Sequence, residues 1–184
     1  MSLSPDKARR VLDTADLVVS AAEVSAAVGR LAREVSEQLA GAFPVVLCVM
    51  RGGVIFAGQL LLQLRFPLEV DYVEVTRYRE TTQGGEIHWK VTPGTSVAGR
   101  VVMVLDDILD EGETLVAIRD RVLAAGASHF YSVVFAEKDT GKPKPIHADF
   151  VGVHVPNRYL FGFGMDVGGA WRNLPEIYAL KEKL

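Results

Sequence analysis

Apolar residues repeat at helical spacing in several segments of the chain. Between Ser20 and Gly41 the apolar positions are Val24, Val28, Leu31, Val35 and Leu39. Residues three and four positions apart share one side of a helix, so this spacing predicts an amphipathic helix that ends near Gly41. Ser4-Pro5-Asp6 predicts the start of an earlier helix, because proline is favoured in a first turn. Two later helices are predicted, one after Gly53 and one that ends at Gly126.

Short and mostly apolar runs alternate with these helices and predict strands over residues 44–49, 70–76, 100–105, 132–136 and 150–155. This alternation is typical of an α/β protein with a mainly parallel sheet flanked by helices. Such folds bind ligands at the C-terminal ends of the strands. Met50-Arg51-Gly52-Gly53 and an acidic segment, residues 105–115, lie at two of these ends. Residues 77–90 are polar and carry glycines, which predicts a long loop.

Length and composition favour one compact unit over residues 1–184. The chain is 49% hydrophobic and 23% charged with a net charge of -3, which fits a globular protein and gives no sign of nucleic-acid binding. Its single cysteine, Cys48, excludes an internal disulfide and predicts a buried apolar residue. The N-terminus lacks a signal-peptide pattern and no apolar run approaches the roughly 18 residues of a membrane span. We therefore expect a cytoplasmic protein with no membrane partner.

Two common phosphate-binding motifs are not present in this sequence. It contains no GxxxxGK[ST], and residues 162–168 fail GxGxxG because Val167 occupies the third glycine position. The acidic segment differs, since a buried strand ends in Asp106 and Asp107, and Asp110 precedes Gly112. A glycine turn that opens a helix offers backbone N–H groups to an anion. Carboxylates at this place must therefore face a different group.

The segment Val104 to Leu115 resembles the signature of the type I phosphoribosyltransferases, with its two acids, two apolar residues, Asp, glycine turn and Thr. Residues 50–53 resemble the pyrophosphate loop of that family, and Lys138 with residues 148–156 resembles the purine-site region. Residues 159–166 and 171–175 resemble the C-terminal signature of the hypoxanthine-guanine branch. The resemblance is collinear over about residues 45–178. It implies the type I phosphoribosyltransferase fold, with a small hood lobe formed by roughly residues 1–20 and 150–184.

This resemblance also implies a reaction, a cofactor and partners. The reaction is Mg²⁺-dependent transfer of the 5-phosphoribosyl group from 5-phosphoribosyl-1-pyrophosphate to hypoxanthine or guanine, giving IMP or GMP and pyrophosphate in purine salvage. A homodimer or homotetramer is implied as well. One alternative is a nucleotide-sensing regulator that binds nucleic acid, although the net charge of -3 does not support it. A xanthine-preferring transferase is a further alternative that the sequence leaves open.

Matching the family pattern residue by residue implies a set of site roles. Asp110 would be the general base near purine N7, although a helix cap is an ordinary alternative for it. The ribose and 5′-phosphate would be bound by Asp106, Asp107, Asp110, Gly112 and Thr114. The purine would be bound by Lys138, Tyr159, Leu160 and Asp166. Pyrophosphate would be bound by Arg51, Gly52 and Arg172, magnesium by Asp106, Asp107 and Asp166, and Tyr78 would belong to a mobile lid.

The chain departs from the family pattern at several positions. Glu111 and Glu113 stand where Thr and a small or basic residue are frequent, and we expect both carboxylates to point away from the phosphate. Arg77 replaces the usual serine before Tyr78, and Arg51 replaces a frequent lysine. The resemblance leaves open whether a cis peptide bond occurs at Met50-Arg51 or at Arg51-Gly52.

Overall fold

A computed structural model describes residues 3–77 and 87–181 of the chain. The helices are α1 (Pro5–Thr14), α2 (Ala21–Leu39), α3 (Gly53–Leu61) and α4 (Glu113–Ala124). The strands are β1 (Asp16–Val19), β2 (Val45–Met50), β3 (Glu69–Arg77), β4 (Ile87–Val91), β5 (Val101–Leu109), β6 (His129–Asp139), β7 (Phe150–Pro156), β8 (Leu160–Phe161) and β9 (Ile177–Ala179). None of the helices in these described ranges has the length and apolarity needed to cross a membrane.

The first two helices begin where the sequence predicts. The Ser4 hydroxyl accepts a hydrogen bond from the Lys7 backbone N–H at 3.3 Å and caps α1, with Pro5 in its first turn. Ser20 caps α2 reciprocally, because Glu23 accepts from the Ser20 backbone N–H while Ser20 accepts from that of Glu23. The apolar stripe of α2 is buried against the sheet.

The larger sheet has six strands in the order β4-β3-β2-β5-β6-β7. Its strands are parallel except for the antiparallel pair of β3 and β4, which confirms the predicted mainly parallel sheet. One face carries an apolar cluster with α2 and α3, and the other carries a second cluster with α4. The turns after β2 and β5 therefore lie side by side at one edge of the sheet.

One predicted loop is partly a strand. Residues 77–90 were expected to be irregular, but β3 continues to Arg77 and β4 begins at Ile87. Strand β4 lies at the edge of the sheet, where His88 and Lys90 face solvent while Trp89 packs on the core. A half-exposed edge strand is polar at every second position, so its sequence resembled that of a loop.

A second sheet joins the two ends of the described chain. Strands β1, β9 and β8 pair antiparallel, and a small apolar cluster around Val11, Phe161 and Val167 lies beside them. The Trp171 indole N–H donates to the carbonyl of Ala8 at 2.8 Å and ties α1 to the C-terminal segment. Strand β7 falls within the expected hood range of 150–184 but pairs with β6 in the larger sheet.

Candidate active site

A cleft of about 360 Å³ opens where β2 and β5 end and α4 begins. It collects most of the residues that the sequence predicts for the phosphoribosyl end of the site. These are Arg51, Gly52, Asp106, Asp107, Asp110, Gly112, Thr114 and Arg172. Glu111, which is exposed, and Glu113, which is partly buried, also line this cleft.

The turn that opens α4 is built around Gly112. This residue is the N-cap and has φ +89°, a left-handed conformation that favours glycine. A Cβ atom on Gly112 would also lie 3.3 Å from Pro145 Cδ and 3.2 Å from Ile146 Cγ2. The first N–H groups of a helix have no partner within it and bind anions readily. The N-cap of α4 is Gly112, which has no side chain to cap the helix, and the Asp110 carboxylate bonds to Lys138 instead. The structure therefore does not support the capping alternative for Asp110.

Asp106 and Asp107 lie side by side at the floor of the cleft. The backbone N–H of Asp107 donates to Asp106 Oδ1 at 2.9 Å. Burial raises the pKa of the Asp106 carboxyl well above its ordinary value, and the negative charge of Asp107 adds to the rise. Burial also raises the pKa of Asp107, while the positive charge of Arg172 opposes part of that shift. A cation or developing positive charge in the cleft would favour the ionised forms of both.

Two glycines surround the Asp107 side chain closely. A Cβ on Gly52 would lie 2.0 Å from Asp107 Oδ2, and a Cβ on Gly164 would lie 2.3 Å from the Gly52 carbonyl oxygen. Gly52 has φ −62° and ψ −48°, so its backbone does not demand glycine. Glycine is therefore required at position 52 because a Cβ atom has no room beside Asp107, and not because of the backbone conformation. Of the two peptide bonds that the resemblance left open, Met50-Arg51 is the cis bond.

A second and larger cleft of about 1160 Å³ adjoins the first. Its lining includes the predicted purine residues Lys138, Tyr159, Leu160 and Asp166. Asp107, Ile108, Asp110 and Arg172 line both clefts. The structure thus brings the predicted phosphoribosyl and purine residues together around one continuous site.

Two ion pairs cross the junction of the clefts. Lys138 Nζ lies 2.7 Å from Asp110 Oδ2, and the lysine side chain is only 12% exposed. Arg172 forms an ion pair with Asp166 and donates from Nη1 to the Gly164 carbonyl at 2.6 Å. Asp166 Oδ2 also accepts from the Gly169 N–H at 2.7 Å. Each of the two carboxylates is therefore paired with a cation, Asp110 with Lys138 and Asp166 with Arg172.

Tyr159, Leu160 and Arg51 differ in how far their side chains are exposed. Tyr159 is 55% exposed and lines the larger cleft, so it is not an ordinary core residue, whereas Leu160 is buried in the main core. The Arg51 side chain is 71% exposed, and its Nε lies 3.9 Å from Glu74 Oε1. Tyr78 falls outside the described residues.

The acidic residues fit a magnesium ion held partly by substrate. Within residues 3–77 and 87–181, no three or more carboxylate, histidine or cysteine side chains converge as a metal site. Mg²⁺ commonly uses only one or two carboxylates together with waters and substrate phosphates. Asp106 with Asp107, and Asp166 separately, match that donor set.

Sequence reasoning missed several residues of the site. None of the site residues predicted from the sequence precedes Arg51, yet Leu3 and Lys7 line the larger cleft. Gly164 falls within the C-terminal signature of residues 159–166, but the sequence assigns it no role. Its close approach to Gly52 depends on segments far apart in the chain. The glycine-rich pattern at residues 162–164 was the one available signal.

Comparison with known proteins places this site in a family. A family model described as phosphoribosyl transferase domain matches residues 18–167. The chain belongs to the phosphoribosyl transferase domain family. A hypoxanthine-guanine phosphoribosyltransferase of Streptococcus thermophilus is 31% identical over 173 residues, which cover 94% of this chain and 96% of that protein. These comparisons confirm the resemblance to the hypoxanthine-guanine phosphoribosyltransferases that the sequence motifs indicate.

Solved phosphoribosyltransferase structures share the fold. A hypoxanthine phosphoribosyltransferase from Staphylococcus aureus superimposes with a TM-score of 0.87 at 23% identity, covering 92% of this chain and 94% of that one. A hypoxanthine-guanine-xanthine phosphoribosyltransferase is 30% identical with a TM-score of 0.80, covering 92% and 97% respectively. The predicted type I phosphoribosyltransferase fold is confirmed.

Proposed function

We propose that this chain is a cytoplasmic purine-salvage enzyme that transfers the 5-phosphoribosyl group from 5-phosphoribosyl-1-pyrophosphate to hypoxanthine, guanine or both. The observation that carries the proposal is the junction of the two clefts, where Asp110 and Lys138 meet. One cleft offers a helix N-terminus and carboxylates, which suit a phosphorylated sugar. The other offers a lysine and a tyrosine, which suit a planar base with an oxo group.

In the proposed reaction a purine ring nitrogen forms a bond to the ribose anomeric carbon while the bond to pyrophosphate breaks. The transition state resembles an oxocarbenium ion, which is positively charged. The carboxylates of Asp106 and Asp107, held rigidly beside the sugar, stabilise that charge more than they stabilise the ground state. The first turn of α4, including Thr114, binds the 5′-phosphate.

Asp110 and Lys138 act on the base. Asp110 accepts the proton that leaves purine N7, and Lys138 donates a hydrogen bond to the 6-oxo oxygen. An adenine 6-amino group cannot accept that bond, so 6-oxopurines are preferred. In the protein alone these two side chains bond to each other, and the base replaces that contact with one to each. Tyr159 stacks on the ring, and Leu160 offers its backbone to the edge of the base.

Magnesium and pyrophosphate complete the proposed site. Bound with substrate phosphates, Mg²⁺ supplies positive charge that offsets the leaving pyrophosphate, and Asp106, Asp107 and Asp166 would hold it. Arg51, the Gly52 backbone and Arg172 bind pyrophosphate, a role that suits the forked guanidinium groups.

The decisive experiment is a substrate panel. Hypoxanthine, guanine, xanthine and adenine are each incubated with 5-phosphoribosyl-1-pyrophosphate and Mg²⁺, and kcat/KM is measured for nucleotide formation. We expect turnover of hypoxanthine or guanine and little with adenine. A preference for xanthine would change the assigned base, and an absence of product from all four would refute the proposal.

We also propose that the enzyme is a homodimer or homotetramer. Val70 and Tyr72 pair in register with Val46 and Cys48, which lie in the cluster that contains Phe56 of α3. Paired residues of neighbouring strands point to the same face. Val70 and Tyr72 therefore emerge on the side of the sheet that α3 covers.

Val54 of α3 and Leu62, which directly follows the helix, are also exposed and apolar. The exposed apolar side chains are Val54, Leu62, Val70 and Tyr72, with exposures of 43%, 77%, 56% and 46%. Patches of this kind mark protein contacts. Sedimentation velocity should show an oligomer that the double variant Leu62→Glu/Tyr72→Glu dissociates, while Leu123→Glu on α4 does not. A monomeric wild-type protein would refute the oligomer.

A further inference from the structure

Lys144 occupies an unusual position for a lysine. It lies in the connection between β6 and β7, and its side chain is only 8% exposed. Its ammonium Nζ lies 2.7 Å from the Lys138 carbonyl oxygen, 3.2 Å from the Leu109 carbonyl oxygen and 3.1 Å from Glu137 Oε1. An ammonium group has three donors, and each of them therefore has an acceptor. Buried lysines are rare unless they are paired in this way.

The two carbonyl groups lie next to the cleft junction, because one belongs to Lys138 and the other to Leu109, the neighbour of Asp110. Leu109 immediately precedes Asp110 and pairs in register with Glu137, which immediately precedes Lys138. The ammonium thus bridges the ends of β5 and β6, next to the point where the Asp110 and Lys138 side chains meet at 2.7 Å. The pairing of β5 with β6 ends at this point, and the Lys144 ammonium continues the link between the two strands.

The residues after Lys144 support the neighbouring turn. Pro145 and Ile146 pack against Gly112, close enough that a Cβ there would lie 3.3 Å and 3.2 Å from them. These contacts are apolar and do not involve the Lys144 ammonium. One short segment therefore makes two separate contacts, one with the purine side of the site and one with the phosphate turn.

We infer that Lys144 is a positioning residue, which holds the ends of β5 and β6 at the separation that places Asp110 and Lys138 against the purine. The inference rests on the transferase reaction proposed above. Lys144 itself does not touch the substrate; it acts through the two backbone carbonyls. Loss of the ammonium removes the Lys144 donor from the two carbonyls and from the Glu137 carboxylate. The end of β5 can then move relative to the end of β6, which stays paired with β7.

The test compares Lys144→Met with Lys142→Met, an exposed lysine of the same connection. Methionine keeps the length of the side chain but removes the charge and the donors. A displacement near 1 Å costs up to about a hundredfold in rate, so we expect kcat to fall roughly tenfold to a hundredfold in Lys144→Met. The KM for hypoxanthine should rise, while the KM for 5-phosphoribosyl-1-pyrophosphate should stay near the wild-type value. Lys142→Met should have the kcat and both KM values of the wild type.

A merely structural role gives a different result. It would lower the urea midpoint of unfolding and the active fraction while leaving both KM values unchanged, and that outcome would overturn the inference. If Lys144→Met does not fold, Lys144→Arg replaces it, since arginine keeps the charge opposite Glu137 but cannot converge its donors on one point. A raised KM for hypoxanthine alone in this variant supports the inference, whereas wild-type kinetics overturn it.

Wild-type turnover, measured first, separates this inference from the proposed function. An active wild-type enzyme with fully active, folded Lys144 variants would overturn the inference and leave the proposed function intact. A wild-type protein without activity towards any purine would overturn both.

Discussion

Gly52→Ala is the substitution whose effect follows most directly from the geometry. The new Cβ would lie 2.0 Å from Asp107 Oδ2, whereas real Cβ atoms essentially never approach below 3.0 Å. The Asp107 carboxylate, or the loop that carries Gly52, must therefore move by about 1.0 Å, the difference of these two distances. Gly164 limits the movement, because a Cβ there would lie only 3.1 Å from Asp107 Cβ.

The expected effect on stability ranges from none to a moderate loss. Overpacking of this kind costs about 1 to 3 kcal/mol, and replacing glycine by alanine in an ordinary helical conformation returns about 0.4 to 1 kcal/mol. The net loss is therefore roughly 0 to 2.6 kcal/mol, from 1 minus 1 to 3 minus 0.4. Activity should suffer far more, because a displacement near 1 Å in a preorganised site costs about a hundredfold in rate.

The assay measures kcat/KM for IMP formation together with unfolding in urea. Gly41→Ala is the matched control, because nothing lies within 4 Å of a Cβ at that exposed turn. We expect the control to keep both activity and stability. A folded Gly52→Ala enzyme with wild-type kcat/KM would show that the position of the Asp107 carboxylate does not limit the reaction.

Three further predictions concern single side chains of the site and its surroundings. Asp110→Asn should fold normally and lose roughly a hundredfold to ten-thousandfold in kcat, the usual contribution of a general base; near-wild-type turnover would remove Asp110 from the mechanism. Lys138→Ala should weaken binding of the purine more than binding of 5-phosphoribosyl-1-pyrophosphate, measured by calorimetry, and the reverse order would contradict its assigned contact. Burial, with the nearby charges of Asp106 and Asp107, raises the pKa of Cys48 to about 12, so only about one thiol in ten thousand is ionised at pH 8. Iodoacetamide should therefore label Cys48 in urea but not in the native protein, and equal labelling would contradict its burial.

The sequence alone was enough to predict much of the larger sheet. Continuous apolar runs and helical spacing depend on residues close together in the chain, and they predicted β2, β3, β5, β6, β7 and the four helices. The motif at residues 104–115 placed three carboxylates at the end of a strand and a glycine turn at the start of a helix. The roles assigned to those side chains remain predictions that the kinetic experiments test.

Only the tertiary structure determined how the site is assembled. Strands β1, β8 and β9 span at most four residues each, and such short elements take their conformation from their pairing partners. The ion pair of Asp110 with Lys138, the contact of Gly52 with Asp107 and Gly164, and the contacts of Lys144 all join separate segments. Local periodicity carries no information about such contacts, because they form only when distant parts of the chain pack together.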